Sequence, residues 1–349
     1  MFAKLLILRQ IWLTNHRQLL ILGKWLLIVA LCWALYAQLG TQSKHWDAQL
    51  VPLIRSNWPV LAGVLALMPL NWLFEVLKWR SLLGKDKGQF ISTLKITKAV
   101  AAGIAFSQLT PNRIGEYGGR ALLMPPGRRW ETVGTTLLGS MAQWVALLSG
   151  GVAGLVYWAA RYWHWSTPML WQVGAVASVA ICLLCIAYFF SGSFIQRLPD
   201  TPYSRWLTNL ANWSELDDAA LGKALAWAFA RYAVYVAQYV LLLYVFVPDL
   251  HWGIATAGVA LVFLFQTGLP VPPPAAALAR SEIALWVWAP FTTETLPLVA
   301  ASWLLFIINI GIPALLGTVA IVENSVFQPA KGHTHEPVAK EQKQLTAPK

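Results

Sequence analysis

The chain has 349 residues, of which 57% are hydrophobic and only 12% charged, with a mean hydropathy of +0.55. A soluble domain carries about 25% charged residues, so this composition excludes a soluble enzyme and points to an integral membrane protein. A net charge of +11 would suggest nucleic acid in a soluble chain. Here the charge gathers on the loops of one membrane side, and no nucleic-acid partner is expected.

Residues 1–18 read as a basic interfacial stretch. Lys4, Arg9, Arg17 and Lys24 flank the start of a long apolar run, and no small-residue cleavage site follows, so a cleavable signal peptide is not expected. A span needs roughly 20 apolar residues. Spans are predicted at 20–40, 58–79, 132–160, 168–190, 224–247 and 297–322. Two further segments are apolar but interrupted. The first, 94–124, is broken by Thr110-Pro111 and by Gly115, Gly118 and Gly119; the second, 254–290, by Gly268, Pro270 and Pro272-Pro273-Pro274. Proline removes a backbone donor and glycine loosens a helix, so each segment is predicted to fold as two half-helices around an unwound turn, a re-entrant hairpin. Residues 324–349 are polar and read as a disordered cytoplasmic tail. Twenty Trp and ten Tyr suit aromatic belts at the two interfaces.

With the N-terminus inside, nineteen of the 26 Lys and Arg fall on the cytoplasmic side, and Lys44, Arg55 and Arg161 fall outside. Arg113, Arg120, Arg231 and Arg280 lie within membrane segments. That asymmetry predicts an N-in, C-in protein. The element order of residues 19–161 then recurs upside down in 162–323, with the hairpins at matching places. The expected fold is therefore an all-α integral membrane protein of about six transmembrane helices plus two re-entrant helical hairpins in inverted-topology repeats. Interrupted segments at matching positions point to a midplane site.

Charged side chains at bilayer depth are costly and mark functional sites by default. In the first hairpin Pro111, Asn112, Arg113, Gly115, Glu116 and Arg120 are candidate substrate-binding residues, with Arg113, Glu116 and Arg120 spaced to share one helical face. Arginine forks near a helix start suit a phosphate. The competing reading is that these charges neutralise one another and pin the hairpin. The second hairpin offers Arg280 and Glu282, the latter as counterpart of Glu116. Arg231, Tyr235 and Gln238 form a polar stripe expected to face the bundle interior, with Arg231 and Tyr235 as site candidates. Glu75 is a weaker candidate. Lys78 and Arg80 are expected to snorkel to the headgroups. Cys32, Cys182 and Cys185 read as small buried hydrophobes despite the CxxC spacing of the last two. No HExxH, P-loop or carboxylate set for a divalent metal occurs, so no metal, cofactor or catalytic residue is expected.

The segment Pro111-Asn-Arg-Ile-Gly-Glu116-Tyr-Gly-Gly-Arg120-Ala resembles the signature of the lysylphosphatidylglycerol synthase transmembrane (flippase-like) family. Leu77-Lys-Trp-Arg-Ser-Leu-Leu83 is similar to that family's basic-aromatic segment at the end of its second span. Where the family has a glycine-rich turn before a glutamate, this chain reads Ala276-Ala277-Leu278-Ala279-Arg280-Ser281-Glu282. The resemblance covers roughly residues 20–322. It implies a bacterial inner-membrane protein that moves or binds anionic phospholipids or polyprenyl-phosphate-type lipids. The soluble synthase domain that carries aminoacyl transfer in the family is not seen, so a non-enzymatic role is expected. A membrane-embedded enzyme acting on a lipid phosphate, and a lipid-binding accessory subunit of an envelope-assembly complex, are the alternatives. A homo-oligomer or an envelope-biosynthesis partner fits either.

Overall fold

The computed structural model describes residues 46–83, 91–108, 110–197, 216–269 and 271–323. The predicted span 20–40, the stretch 1–18 and the tail 324–349 lie outside the described residues. The protein is an all-α membrane protein, with no strand among the described residues. The helices are α1 (Trp46–Ser56), α2 (Trp58–Leu82), α3 (Thr93–Ser107), α4 (Gly115–Leu122), α5 (Arg129–Arg161), α6 (Thr167–Phe189) and α7 (Ser191–Gln196). They continue with α8 (Asp218–Phe246), α9 (Trp252–Gln266), α10 (Pro273–Trp288), α11 (Thr295–Phe306) and α12 (Ile312–Glu323). Among the described residues five stretches are long and apolar enough to cross a bilayer: α2, α5, α6, α8 and the continuous rod Thr295–Glu323.

The clearest sign of a lipid solvent is α6. It packs on α5, its end is held by buried Tyr188 against α8, and much of the rest is bare, with Trp171 75%, Val176 71% and Leu183 60% exposed. Water would not tolerate such a helix; hydrocarbon would. Cys182 and Cys185 sit on this helix, one exposed and the other half-buried. Cys182 thus faces outward, which corrects the expectation of a buried side chain there, and Cys32 lies outside the described residues; free thiols are weakly polar enough for either setting.

Both interrupted segments fold back as helical hairpins. Pro111 forces Thr110 into an extended conformation (φ −128°, ψ 138°), which ends the helical path after α3. Asn112 and Arg113 then take the left-handed region (φ 52° and 59°), and the Thr110 hydroxyl accepts a 2.7 Å hydrogen bond from the Gly115 N–H to start α4. In the second hairpin the chain turns at Gly268 (φ +88°) and restarts at Pro273, where a missing N–H costs nothing. At 15 residues each, α3 and α9 are about 22 Å long, too short for a 30 Å core.

Packing follows a two-fold pattern. Helices α2 and α8 run antiparallel at the centre; α9 lies along α5, and α3 lies along α12. Each hairpin therefore leans on the long helix of the other half. Small residues make both contacts possible. A Cβ at Gly154 on α5 would stand 2.8 Å from the Ala257 carbonyl oxygen on α9, and one at Gly317 on α12 would stand 2.0 Å from that of Ala101 on α3. The largest apolar core is built from α8, α9, α10 and α11 around Trp158, Tyr239 and Trp288. The last rod carries a one-turn π segment, Ile307–Gly311, whose Asn309 accepts a 2.7 Å hydrogen bond from the Asn71 amide on α2.

Candidate functional site

The first hairpin inserts α4 between α3 and the ends of α2 and α5, and the charges collect there. Close backbone approach makes the insertion possible. A Cβ at Gly115 would lie 2.3 Å from the Phe106 carbonyl oxygen, and one at Gly119 would lie 2.7 Å from that of Ala102. Gly118 meets nothing within 4 Å and has no such role.

Glu75 of α2 is the hub. Its Oε1 accepts a hydrogen bond of 2.6 Å from Arg120 Nη2. Its Oε2 makes close ion contacts with Lys78 Nζ (2.6 Å) and Arg231 Nη1 (2.8 Å). Glu116 pairs with Arg113 at 3.0 Å and also receives Arg120. Arg120 is 2% exposed and lies over the Trp79 ring, 4.9 Å from its centroid. Trp79 is itself fixed by a 3.1 Å hydrogen bond from its indole N–H to Thr135 on α5. Arg231 also donates to Asn71 Oδ1 at 2.9 Å, and Gln143 Oε1 lies 3.4 Å from both Arg231 and Lys78. The polar chain thus runs from Asn309 through Asn71, Arg231 and Glu75 to Arg120.

These groups enclose a cavity of about 160 Å³, lined by Glu75, Lys78, Asn112, Arg113, Glu116 and Tyr117 on one side, with Arg120 behind them. Thr136, Ser140, Gln143, Trp144 and Arg231 close the other side. Glu75 lies seven residues inside the end of α2, about 10 Å along its axis. Leaving four cations and two carboxylates this deep is costly unless they are mutually satisfied or matched by a ligand.

Of the residues expected from the sequence, Asn112, Arg113, Glu116, Arg120 and Arg231 meet at this cavity, while Pro111 and Gly115 shape its turn. Two details differ from expectation. Arg113 precedes α4 rather than riding on it, because Pro111 sets a left-handed turn there; the pairing with Glu116 still forms. Lys78 does not snorkel: it is 3% exposed and turned inward, held by Glu75.

Tyr235, Arg280 and Glu282 are elsewhere. Tyr235 packs on Phe263, ring centroids 5.2 Å apart. Arg280 is buried, donates from Nε to Gln266 Oε1 at 2.8 Å and lies over the Phe263 ring. Glu282 lines an apolar groove with Phe265, Ile283 and Trp286. The second hairpin therefore sets Arg280 against Gln266 and Phe263, unlike the Glu75–Arg120 arrangement. The two hairpins do touch: the turn Pro111–Arg113 packs against α10.

Asn71 and Gln143 were not singled out from sequence, and Trp79 only as part of the Leu77–Leu83 segment. The available signal was a lone amide in an otherwise apolar span, at Asn71 and again at Gln143. Among the described residues no group of His, Cys, Asp and Glu could hold a metal ion. The chain matches no family model, and no curated protein is significantly similar to it.

Proposed function

We propose that this is a multi-pass protein of the bacterial cytoplasmic membrane that moves a phosphate-bearing anionic lipid, an anionic phospholipid or a polyprenyl-phosphate-type carrier, between leaflets. The observation that carries this reading is the cavity ringed by Lys78, Arg113, Arg120 and Arg231 at membrane depth. Guanidinium forks suit phosphate oxygens, and a hydrocarbon tail needs no protein cavity because the bilayer holds it. Arg113 and Arg120 hold the phosphate. Glu75 and Glu116 set the geometry of the guanidiniums and offset part of their charge when the cavity is empty.

The similarity of the Pro111–Ala121 segment to the flippase-like family supports the same assignment. Charge asymmetry across the loops supports an N-in, C-in orientation, with the first hairpin entering from the cytoplasm. The sequence carries no P-loop, so transport runs downhill or draws on an ion gradient.

Headgroup transfer in proteoliposomes tests the reading. Arg120→Met keeps bulk and removes the fork; transfer of an anionic phospholipid is expected to fall at least about tenfold with the protein still folded. Unchanged transfer by a folded Arg120→Met protein would overturn the assignment. Transfer that appears only with a co-expressed partner would instead identify an accessory subunit.

A further inference from the structure

We propose that the cavity selects a phosphate bearing two negative charges, a phosphomonoester headgroup, over the singly charged phosphodiester of ordinary phospholipids. The proposal rests on the anion-seat reading above and names its substrate class. The argument starts from charge. Lys78 on α2, Arg113 in the turn, Arg120 on α4 and Arg231 on α8 contribute four formal positive charges. Glu75 on α2 and Glu116 on α4 contribute two negative ones, and α5 faces the cavity with the neutral Thr136, Ser140 and Gln143. The lining therefore carries a net formal charge of +2, with Tyr117 the remaining ionisable group.

A net charge in a low-dielectric site is unfavourable until a counter-charge enters. A phosphomonoester above its second pKa, about 6, brings a charge of nearly −2 and cancels the excess. A phosphodiester leaves one cation unmatched. Donor supply agrees. Nε of Arg113 and Nε of Arg120 are buried and make no hydrogen bond within the protein, so neither guanidinium is fully matched by protein acceptors. Size agrees as well. The cavity of about 160 Å³ has room for about five waters at roughly 30 Å³ each. That is ample for a phosphoryl group. Arg113, its side chain 40% exposed, stands at the mouth, where the ester oxygen would leave toward the lipid tail.

The test compares dioleoyl phosphatidate, a monoester, with dioleoyl phosphatidylglycerol, a diester with the same chains, binding to the purified full-length protein across pH. Above about pH 7, phosphatidate is expected to bind at least about tenfold tighter; the ratio should shrink toward unity below about pH 5.5, as the monoester takes its second proton. A cavity group that gained or lost a proton would change the net charge and with it the ratio, so the comparison is read between about pH 5.5 and 7, where the monoester's second proton titrates. Arg231→Gln lowers the net charge to +1 and should bring the ratio near unity at neutral pH. A ratio near one, or one that does not change with pH, would overturn the proposal while leaving the anion seat standing. Binding of both lipids unaffected by Arg120→Met, or binding of neither, would remove the seat itself. Inorganic phosphate that binds as tightly as phosphatidate would make the free dianion the ligand; phosphate that competes only weakly makes it a lipid headgroup. Both outcomes support the dianion class.

Discussion

Replacing Glu75 by Gln is the sharpest perturbation of the cluster, because a near-isosteric change removes the counter-charge shared by three cations, of which Arg120 alone keeps another in Glu116. Glu75 is 4% exposed and touches Lys78 at 2.6 Å, Arg120 at 2.6 Å and Arg231 at 2.8 Å. Two unit charges about 4 Å apart attract by roughly 4 kcal/mol at an effective dielectric of about 20, so the gross loss is several times that. Desolvation already offsets much of it in the native protein. Removing one partner of a buried pair typically destabilises by about 3–5 kcal/mol, and that is the net effect expected here. For a chain of this size it corresponds to a fall in melting temperature of roughly 5–10 °C. Glu116→Gln should cost less, because its side chain is 13% exposed and one of its partners, Arg113, reaches the mouth. The assay is thermal unfolding of the detergent-purified proteins with and without phosphatidate. Glu75→Gln raises the formal charge of the cavity to +3, so added phosphatidate should rescue this variant by more than it stabilises the wild type. A melting temperature within about 1 °C of wild type, with no extra rescue by lipid, would refute the view that Glu75 is the counter-ion of the cavity.

Other outcomes follow from the same contacts. Gly103→Ala places a Cβ 2.8 Å from Arg120 Cγ and 3.2 Å from Glu116 Cγ, and overpacking of this kind costs about 1–3 kcal/mol; melting and lipid retention should both drop. Gly118→Ala meets open space and should stabilise by up to about 1 kcal/mol through helix propensity, with retention unchanged, in the same two assays. Asn71→Leu breaks the bonds to Asn309 and Arg231 inside the protein, and stability measured by denaturant or heat should fall by about 1–3 kcal/mol.

Much of this architecture could be read from the chain because a bilayer leaves few choices. Apolar runs of span length became α2, α5, α6 and α8 within a few residues of expectation, and Pro111 and Pro272–Pro274 marked the two reversals. Arg113, Glu116 and Arg120 were visible because charge is rare in such a background. Glu75 and Lys78 were undervalued for a physical reason. Their i, i+3 spacing says that they pair, but not that α4 will press Arg120 against them, a contact 45 residues away in sequence. Without that neighbour, a lysine one turn from a helix end is expected to reach for headgroups. The second hairpin misled in the opposite sense. Its Arg280 and Glu282 look like a copy of the first set, yet α8 faces it with Tyr235 and Tyr239, not carboxylates. Arg280 turns instead to Gln266 of its own hairpin. Matching sequence spacing of the two arginine–glutamate sets did not bring matching surroundings.

The central claim is that the cluster around Arg120 seats a lipid phosphate. Native mass spectrometry of the protein purified from membranes, wild type beside the Arg113→Ala/Arg120→Met double variant, addresses it directly. The account predicts a selectively retained phosphate-bearing lipid on the wild type that is lost from a folded double variant. The same lipids on both proteins, or none selectively held by either, would contradict it and leave the arginines as pins of the hairpin.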